Sequence, residues 1–212
     1  QPNPPQWVLE GDIKGCFDNI SHEWLVDNVQ IDKQILKKWL KCGAVFNKLL
    51  SPTTAGTPQG GIISPTLANA TLDGMEKMLL KKYRERYVNG KRYRPKVHLV
   101  RYADDFVVSA DTRELLEQVK EDLKNFLAVR GLELSEEKTL ITHITEGFDF
   151  LGYNIRRYKK NILIKPAKKS VKRFVEKTHE VIFGNKTAKQ GDLIMQLNPV
   201  LRGWGNYFRF VS

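Results

Sequence analysis

The chain has 212 residues, with 35 Lys and Arg against 24 Asp and Glu, a formal net charge of +11 at pH 7, and 41% hydrophobic and 28% charged residues. That is apolar surface enough for a core, and no apolar run approaches the ~18 residues of a membrane span, so membrane-spanning, collagen-like and wholly disordered classes are excluded and a polyanion becomes the natural partner. The surplus is local: residues 1–155 hold 21 basic and 21 acidic side chains, whereas residues 156–212 hold 14 and 3. Cys16 and Cys42 are the only cysteines and the four histidines are scattered, which speaks against a zinc site or a disulfide framework. The polar, Pro-rich start has no basic or apolar leader region, and without an initial Met the sequence is expected to be part of a longer protein.

Trp7 to Ile13 mixes β-formers and runs into a polar turn, which predicts a buried strand whose carboxyl end presents Asp12. One helix is expected from near Ser21. A second has Asp32 as its N-cap, Ile35, Leu36, Trp39 and Leu40 on one face, and Gly43 as its stop. Gly56-Thr57-Pro58-Gln59-Gly60-Gly61 is too rich in Gly and Pro for a regular element and reads as a shaped loop. Ser64-Pro65 predicts a helix start, a hydroxyl N-cap followed by proline at the first helical position. Leu67, Leu72, Met75, Leu79 and Tyr83 then form the inner face of one long helix to about Tyr87. Asn89-Gly90 marks a turn within a basic stretch, Lys77 to Arg101, that holds ten Lys and Arg against one acid, Glu85.

Val97–Tyr102 and Phe106–Ser109 predict a hairpin with Ala103-Asp104-Asp105 at its tip. Asp111, with Glu114 three residues on, predicts a boxed helix start, carried by Leu115, Leu116, Val119, Leu123, Phe126 and Leu127 and closed by Gly131. Leu132–Ile144 reads as a strand region broken at Ser135–Lys138, and Phe148–Tyr153, Ile155 and Ile162–Ile164 as a small hairpin pair. From Pro166 the pattern turns helical. Val171, Phe174, Val175, Thr178 and Ile182 share one face whose reverse is Lys, and a second helix around Asp192–Leu201 leads to Arg202–Arg209. The predicted division is residues 1–155 and 156–212, and the fold class is α+β.

Asp12 closes one strand and Asp104 and Asp105 tip a hairpin, so one sheet edge can bring the three together. Such an arrangement suits Mg²⁺, which takes oxygen ligands, commonly one or two carboxylates plus substrate phosphates. Two such ions about 3.5–4 Å apart clamp the attacking and leaving oxygens of an in-line phosphoryl displacement. Adjacent acids on an apolar hairpin repel one another unless a cation relieves them, although Asp is also a common turn residue.

Tyr102-Ala103-Asp104-Asp105 resembles the polymerase motif of reverse transcriptases, and Asp12-Ile13-Lys14-Gly15-Cys16-Phe17-Asp18 the partner motif that supplies the first metal-binding Asp. Gly56–Pro65 resembles the loop-and-helix signature of the same family. With Phe148–Tyr153 and the tail Leu197-Asn198-Pro199…Arg202-Gly203-Trp204-Gly205-Asn206-Tyr207-Phe208, the closest resemblance is to group II intron-encoded reverse transcriptase/maturases, over essentially the whole chain. The resemblance implies a polymerase palm with an antiparallel sheet and packed helices over residues 1–155, followed by a basic helical thumb/maturase region over 156–212. It implies RNA-directed DNA synthesis by two-metal nucleotidyl transfer with two Mg²⁺ ions, joined to splicing assistance and retrohoming. The implied partners are intron RNA, an RNA template with a DNA primer, deoxynucleoside triphosphates and a DNA target, without a membrane, in a bacterial cytoplasm or an organellar matrix.

Carried over by position, Asp12 and Asp104 hold the metals, Asp105 supports them and Ile13 adds its backbone carbonyl. Phe17 matches a steric gate against a ribose 2′-OH, Gln59 the loop lining the nascent base pair, and Lys138 the group that protonates the pyrophosphate leaving group; a solvated lysine is the alternative for Lys138. Phe148–Tyr153 matches the primer-gripping hairpin. Lys168, Lys169, Lys172 and Arg173 are the candidate RNA contacts, and Trp204, Tyr207 and Phe208 either stack on bases or form the thumb core. The family's fingers region and its later DNA-binding and endonuclease segments are not in this sequence, so the residues at hand are expected to be catalytically poor or inactive alone. Two further readings stay open: a splicing cofactor without essential polymerase activity, and a domesticated CRISPR-associated or defence reverse transcriptase.

Overall fold

The computed structural model describes residues 4–42, 44–46, 49–51, 55–57, 61–88 and 90–211, with the backbone alone at 44–46, 49–51 and 88. By packing they divide into two units, residues 1–142 and 143–212, so the change in charge at residue 155 falls within the second.

In the first unit, β1 (Trp7–Gly11) passes through a left-handed Gly15 into a short helix that periodicity does not reveal, α1 (Cys16–Asn19). α2 (His22–Asn28) starts where expected because Ser21 Oγ accepts the Trp24 N–H, and α3 (Lys33–Lys41) because Asp32 Oδ1 accepts from Gln34 and Ile35. Only Leu36 and Leu40 of the expected apolar face of α3 are buried; Ile35 and Trp39 are exposed. The expected stop at Gly43 lies outside the described residues. β2 (Ala44–Phe46) pairs antiparallel with β3 (Leu49–Ser51).

The single long helix expected after Ser64 is two helices. In α4 (Ser64–Leu72) Ile63 is the N-cap and Ser64 already helical, so the chain gains no side-chain cap there. Asp73 is extended and Gly74 takes φ 87°, a left-handed angle that glycine adopts without a Cβ clash, before α5 (Met75–Lys82) begins. The inner face survives the break, since Leu67, Leu72, Met75 and Leu79 are all buried. Past Tyr83 the chain forms a hairpin instead of helix, β4 (Arg86–Val88) against β5 (Lys91–Tyr93), with Gly90 left-handed in its turn. Half of the basic stretch is answered internally: Lys82 by Asp122, Arg92 and Arg94 by Glu85, Lys96 by Asp111, and Arg101 by Asn69.

β6 (His98–Tyr102) and β7 (Asp105–Ala110) form the expected hairpin. α6 (Arg113–Ala128) is capped by Thr112, whose Oγ1 accepts the Leu115 N–H. Asp111 instead pairs with Lys96, so the expected box with Glu114 does not form. β8 (Leu140–His143) completes a four-stranded sheet in the order β6-β7-β1-β8. α6 lies on β1 and β7, and its Leu116, Val119, Leu123 and Leu127 are buried in one cluster with Leu9, Phe106 and Val108. Each such side chain contributes roughly 1.5–3 kcal/mol by leaving water. The strands that lead to the acids are thereby backed by the hydrophobic core.

In the second unit β9 (Phe148–Phe150), β10 (Tyr153–Tyr158) and β11 (Asn161–Pro166) form an antiparallel sheet in the order β11-β10-β9, followed by α7 (Lys168–Gly184) and α8 (Gln190–Tyr207). α8 runs further than expected, through Pro199 and Gly203-Trp204-Gly205. The expected apolar face of α7 is only partly covered: Phe174 stacks on Trp204, whereas Val171 and Val175 remain exposed. Among the described residues no helix is long and apolar enough to cross a membrane.

Candidate active site

Strand register brings the acids together. Gly11 of β1 stands opposite Phe106 of β7 at the end of their pairing, so Asp12, which follows Gly11, and Asp105, which precedes Phe106, lie at the same end of the two strands, close enough for the Asp12 charge to act on Asp105. The β6–β7 pairing closes Tyr102 on Asp105, leaving Ala103 and Asp104 as the tip. Ala103 takes a left-handed φ of 55°, and Arg101 holds the tip by donating from Nη1 to the Ala103 carbonyl (2.8 Å) and to Asn69 Oδ1 (3.0 Å). The pleat puts Asp12 and Asp105 on the face opposite Gly11 and Phe106. Gly11 is required here: a Cβ would lie 2.1 Å from the Phe106 ring, which is only 1% exposed and has nowhere to move.

The acids act on one another electrostatically. Burial raises the Asp105 carboxyl above the ordinary aspartate range, the charges of Asp104 and Asp12 raise it further, and Lys138 opposes them. Lys138 Nζ donates to Asp12 Oδ2 at 3.3 Å. The turn that carries Lys138 is tied to Asp12 through the backbone as well, because the Ser135 N–H donates to the Asp12 carbonyl (2.9 Å) and the Lys14 N–H to that of Glu133 (2.9 Å). These bonds flank the Ile13–Leu134 bridge, so they belong to its neighbours and leave the Ile13 carbonyl pointing away from Leu134, with no partner among the described residues.

Three carboxylates and a free carbonyl at one edge are a hard-oxygen donor set, and the excess negative charge that raises Asp105 is of the kind a divalent cation relieves. Among the described residues no three His, Cys, Asp or Glu side chains close around a common point. The acids form an open edge, compatible with an ion that also takes water and substrate oxygens.

Phe17 is half-buried on α1 and packs against the core. The described part of the Gly-rich loop docks on the same helix: the Gly56 N–H donates to the Ile20 carbonyl (2.9 Å), the Thr57 N–H to the Phe17 carbonyl (2.6 Å), and His22 Nε2 to the Gly56 carbonyl (2.6 Å). A Cβ on Gly56 would lie 2.3 Å from the Phe17 oxygen, so glycine permits this approach. Gln59 lies outside the described residues.

Arg101, Asn69, Ser135 and Cys16 join the site without having been picked out from sequence. Burial pushes the Cys16 thiol up to about 11, with the Asp104 charge adding and Arg101 opposing. A lone Arg beside two acids on an otherwise apolar hairpin was the one available signal, for Arg101.

In the second unit Lys168, Lys169, Lys172 and Arg173 are all exposed in the first turns of α7. At about 100° per residue they spread over roughly 140° of the helix, so they make a broad basic surface and not a single row. Lys172 is 3.8 Å from Glu176. Phe208 is buried, Trp204 half-buried and Tyr207 exposed, and their rings touch in sequence at centroid distances of 4.9 and 4.8 Å. The aromatic tail is therefore part core and part surface.

Residues 1–155 match the family described as reverse transcriptase (RNA-dependent DNA polymerase), and residues 171–212 match the group II intron, maturase-specific domain. The group II intron-encoded protein LtrA of Lactococcus lactis subsp. cremoris is 32% identical over 98% of this chain and 49% of its own length. Protein YkfC of Escherichia coli (strain K12) is 32% identical over 72% of this chain and 47% of its own. The chain spans about half the length of these relatives. Among solved structures, telomerase from Candida tropicalis in complex with a TWJ fragment of telomeric RNA is similar at a TM-score of 0.57 and 13% identity, over 95% of this chain and 38% of that one. That likeness is one of fold.

Proposed function

The chain belongs to the group II intron-encoded reverse transcriptase/maturase family, and from this premise we propose that its acidic edge carries RNA-templated DNA synthesis while its basic C-terminal part binds intron RNA and assists splicing. The observation that carries the reading is the register that sets Asp12 beside the Asp104-Asp105 tip, with the mutual effect felt at Asp105. Residues 1–155 are then the palm and residues 156–212 the thumb/maturase region.

In this reading Asp12, Asp104 and the Ile13 carbonyl hold two Mg²⁺ ions, with Asp105 in support. Bound there, the ions supply positive charge to the attacking 3′-oxygen and to the leaving pyrophosphate of an in-line displacement. The chain's own residues do the rest. Arg101 fixes the tip by its bonds to Ala103 and Asn69, so the carboxylates need little reorganisation when a substrate arrives. Lys138 meets developing negative charge on the leaving phosphates and gives a proton to it, a role supported by its contact with Asp12 at 3.3 Å. Phe17, on the helix to which the Gly56 turn is pinned, narrows the space beside the sugar and favours deoxynucleotides. The motif match assigns Gln59 to the nascent base pair. The substrates are deoxynucleoside triphosphates with a DNA primer on an RNA template.

Primer extension by the full-length protein on an RNA template tests the assignment. Asp104→Ala is expected to abolish extension while RNA binding persists; undiminished extension by that variant rejects the polymerase role.

A further inference from the structure

The second unit holds a cavity of about 560 Å³ that the chemistry above does not use. Its size falls within the roughly 300–1,000 Å³ of small-ligand pockets. Helical spacing builds its walls: Arg173, Phe174 and Lys177 of α7 and Gly203, Trp204 and Tyr207 of α8 repeat the same i, i+1, i+4 pattern, so each helix turns one face to the space. Phe174 and Trp204 stack on one another at 4.6 Å, 25° from parallel, and make an aromatic wall. Nothing among the described residues pairs with the buried Trp204 Nε1; the ring is packed against Phe174 on α7 and Phe208 at the end of α8.

Charge at the rim is positive. Arg173 has no ion-pair partner among the described residues, and Lys177 meets only an exposed Glu180 at 3.1 Å. Gly203 completes the picture. It lies inside α8, where glycine is a poorer choice than alanine, yet an added Cβ would meet nothing within 4 Å. No neighbour in the described structure requires glycine there; the open cavity does lie beside it. Gly205 is equally uncrowded but does not line the cavity.

We propose that this cavity captures one unpaired base of a bound RNA, the base lying on the Phe174–Trp204 wall in the room that Gly203 leaves, with adjoining phosphates on Arg173 and Lys177. The proposal rests on the RNA-binding reading given under Proposed function. Charge complementarity selects the occupant: the whole +11 surplus lies in residues 156–212, and an apolar peptide would leave the rim cations unanswered. Aromatic stacking beside phosphate-binding cations is the general chemistry of single-stranded nucleic acid recognition, and RNA loops and bulges offer splayed bases where a duplex does not.

The test is a fluorescence titration of the full-length protein with a short oligouridine RNA carrying one central 2-aminopurine, against the same RNA with a central abasic residue. The wild type is expected to quench the 2-aminopurine and to bind the abasic RNA about tenfold more weakly, the worth of one stacked base. Gly203→Leu puts a bulky side chain at the cavity wall where the base is to lie and should bind both RNAs with the weaker affinity and without quenching. Gly203→Ala should show part of that loss while its thermal midpoint rises, and Gly205→Ala should raise the midpoint and keep wild-type binding. If Gly203→Leu and Gly203→Ala both bind and quench as the wild type does, the cavity proposal is overturned and RNA binding stands. If the wild type binds neither RNA, the RNA-binding reading falls with it.

Discussion

Lys138 Nζ lies 3.3 Å from Asp12 Oδ2, joining the turn before β8 to the end of β1 across 126 residues of sequence. The lysine side chain is 70% exposed, so as a stabilising ion pair the contact is worth only about 0–1 kcal/mol. If Lys138 serves the leaving group, its loss must appear in turnover and hardly at all in stability. Lys138→Gln is expected to lower single-turnover extension on the order of 10²-fold with a nearly unchanged melting temperature. Normal extension by this variant would make Lys138 a solvated lysine.

Gly11 and Phe106 define the seam from which Asp12 emerges. A methyl at residue 11 would collide with the buried Phe106 ring, so Gly11→Ala should destabilise the protein by about 1–3 kcal/mol in urea unfolding. Because the collision is between these two side chains, Gly11→Ala combined with Phe106→Leu should be less destabilised than the sum of the single variants. Strict additivity would mean that the strain arises elsewhere.

Glu136 is held by Lys120 (2.8 Å) and Lys124 (2.7 Å) of α6, in the same turn as Lys138. The two ammonium groups lower its carboxyl from the ordinary 4.5 to about 2. A carboxyl lowered in the folded state adds stability above its unfolded value and loses it as pH falls. Its contribution should therefore be full above about pH 4.5 and fade towards pH 2. Glu136 itself faces solvent, so the effect is modest. Glu136→Gln should unfold at lower urea than the wild type at pH 7, the gap narrowing through that window; a gap independent of pH would assign the effect to something other than this charge.

The acids were legible in sequence because carboxylates on strands of Val, Leu, Tyr and Phe are out of place unless something uses them, and because the apolar runs on either side of Ala103-Asp104-Asp105 leave room only for a tight turn. The helix start near Ser21 and the Asp32 cap were legible for a local reason, a side-chain oxygen meeting N–H groups two or three residues on. The break at Asp73-Gly74 was not. The apolar residues on both sides keep a helical spacing, and only the left-handed φ of Gly74 interrupts it. Thr112 displaced Asp111 as a cap because Lys96, far off in sequence, takes the Asp111 carboxylate. Arg101 was missed for the same kind of reason, since its worth lies in bonds to Asn69 and to the tip that only the folded sheet creates.

The central claim is that Asp12 and Asp104 act as one unit in nucleotidyl transfer. Single-turnover incorporation of one deoxynucleotide on an RNA template by the full-length protein tests it most directly, with Asp12→Asn, Asp104→Asn and the double variant compared at equal RNA occupancy. Each single variant should lose on the order of 10³-fold or more, with the double variant no worse, as groups working as one unit behave. Incorporation near the wild-type rate in either single variant, with folding and RNA binding intact, would contradict it.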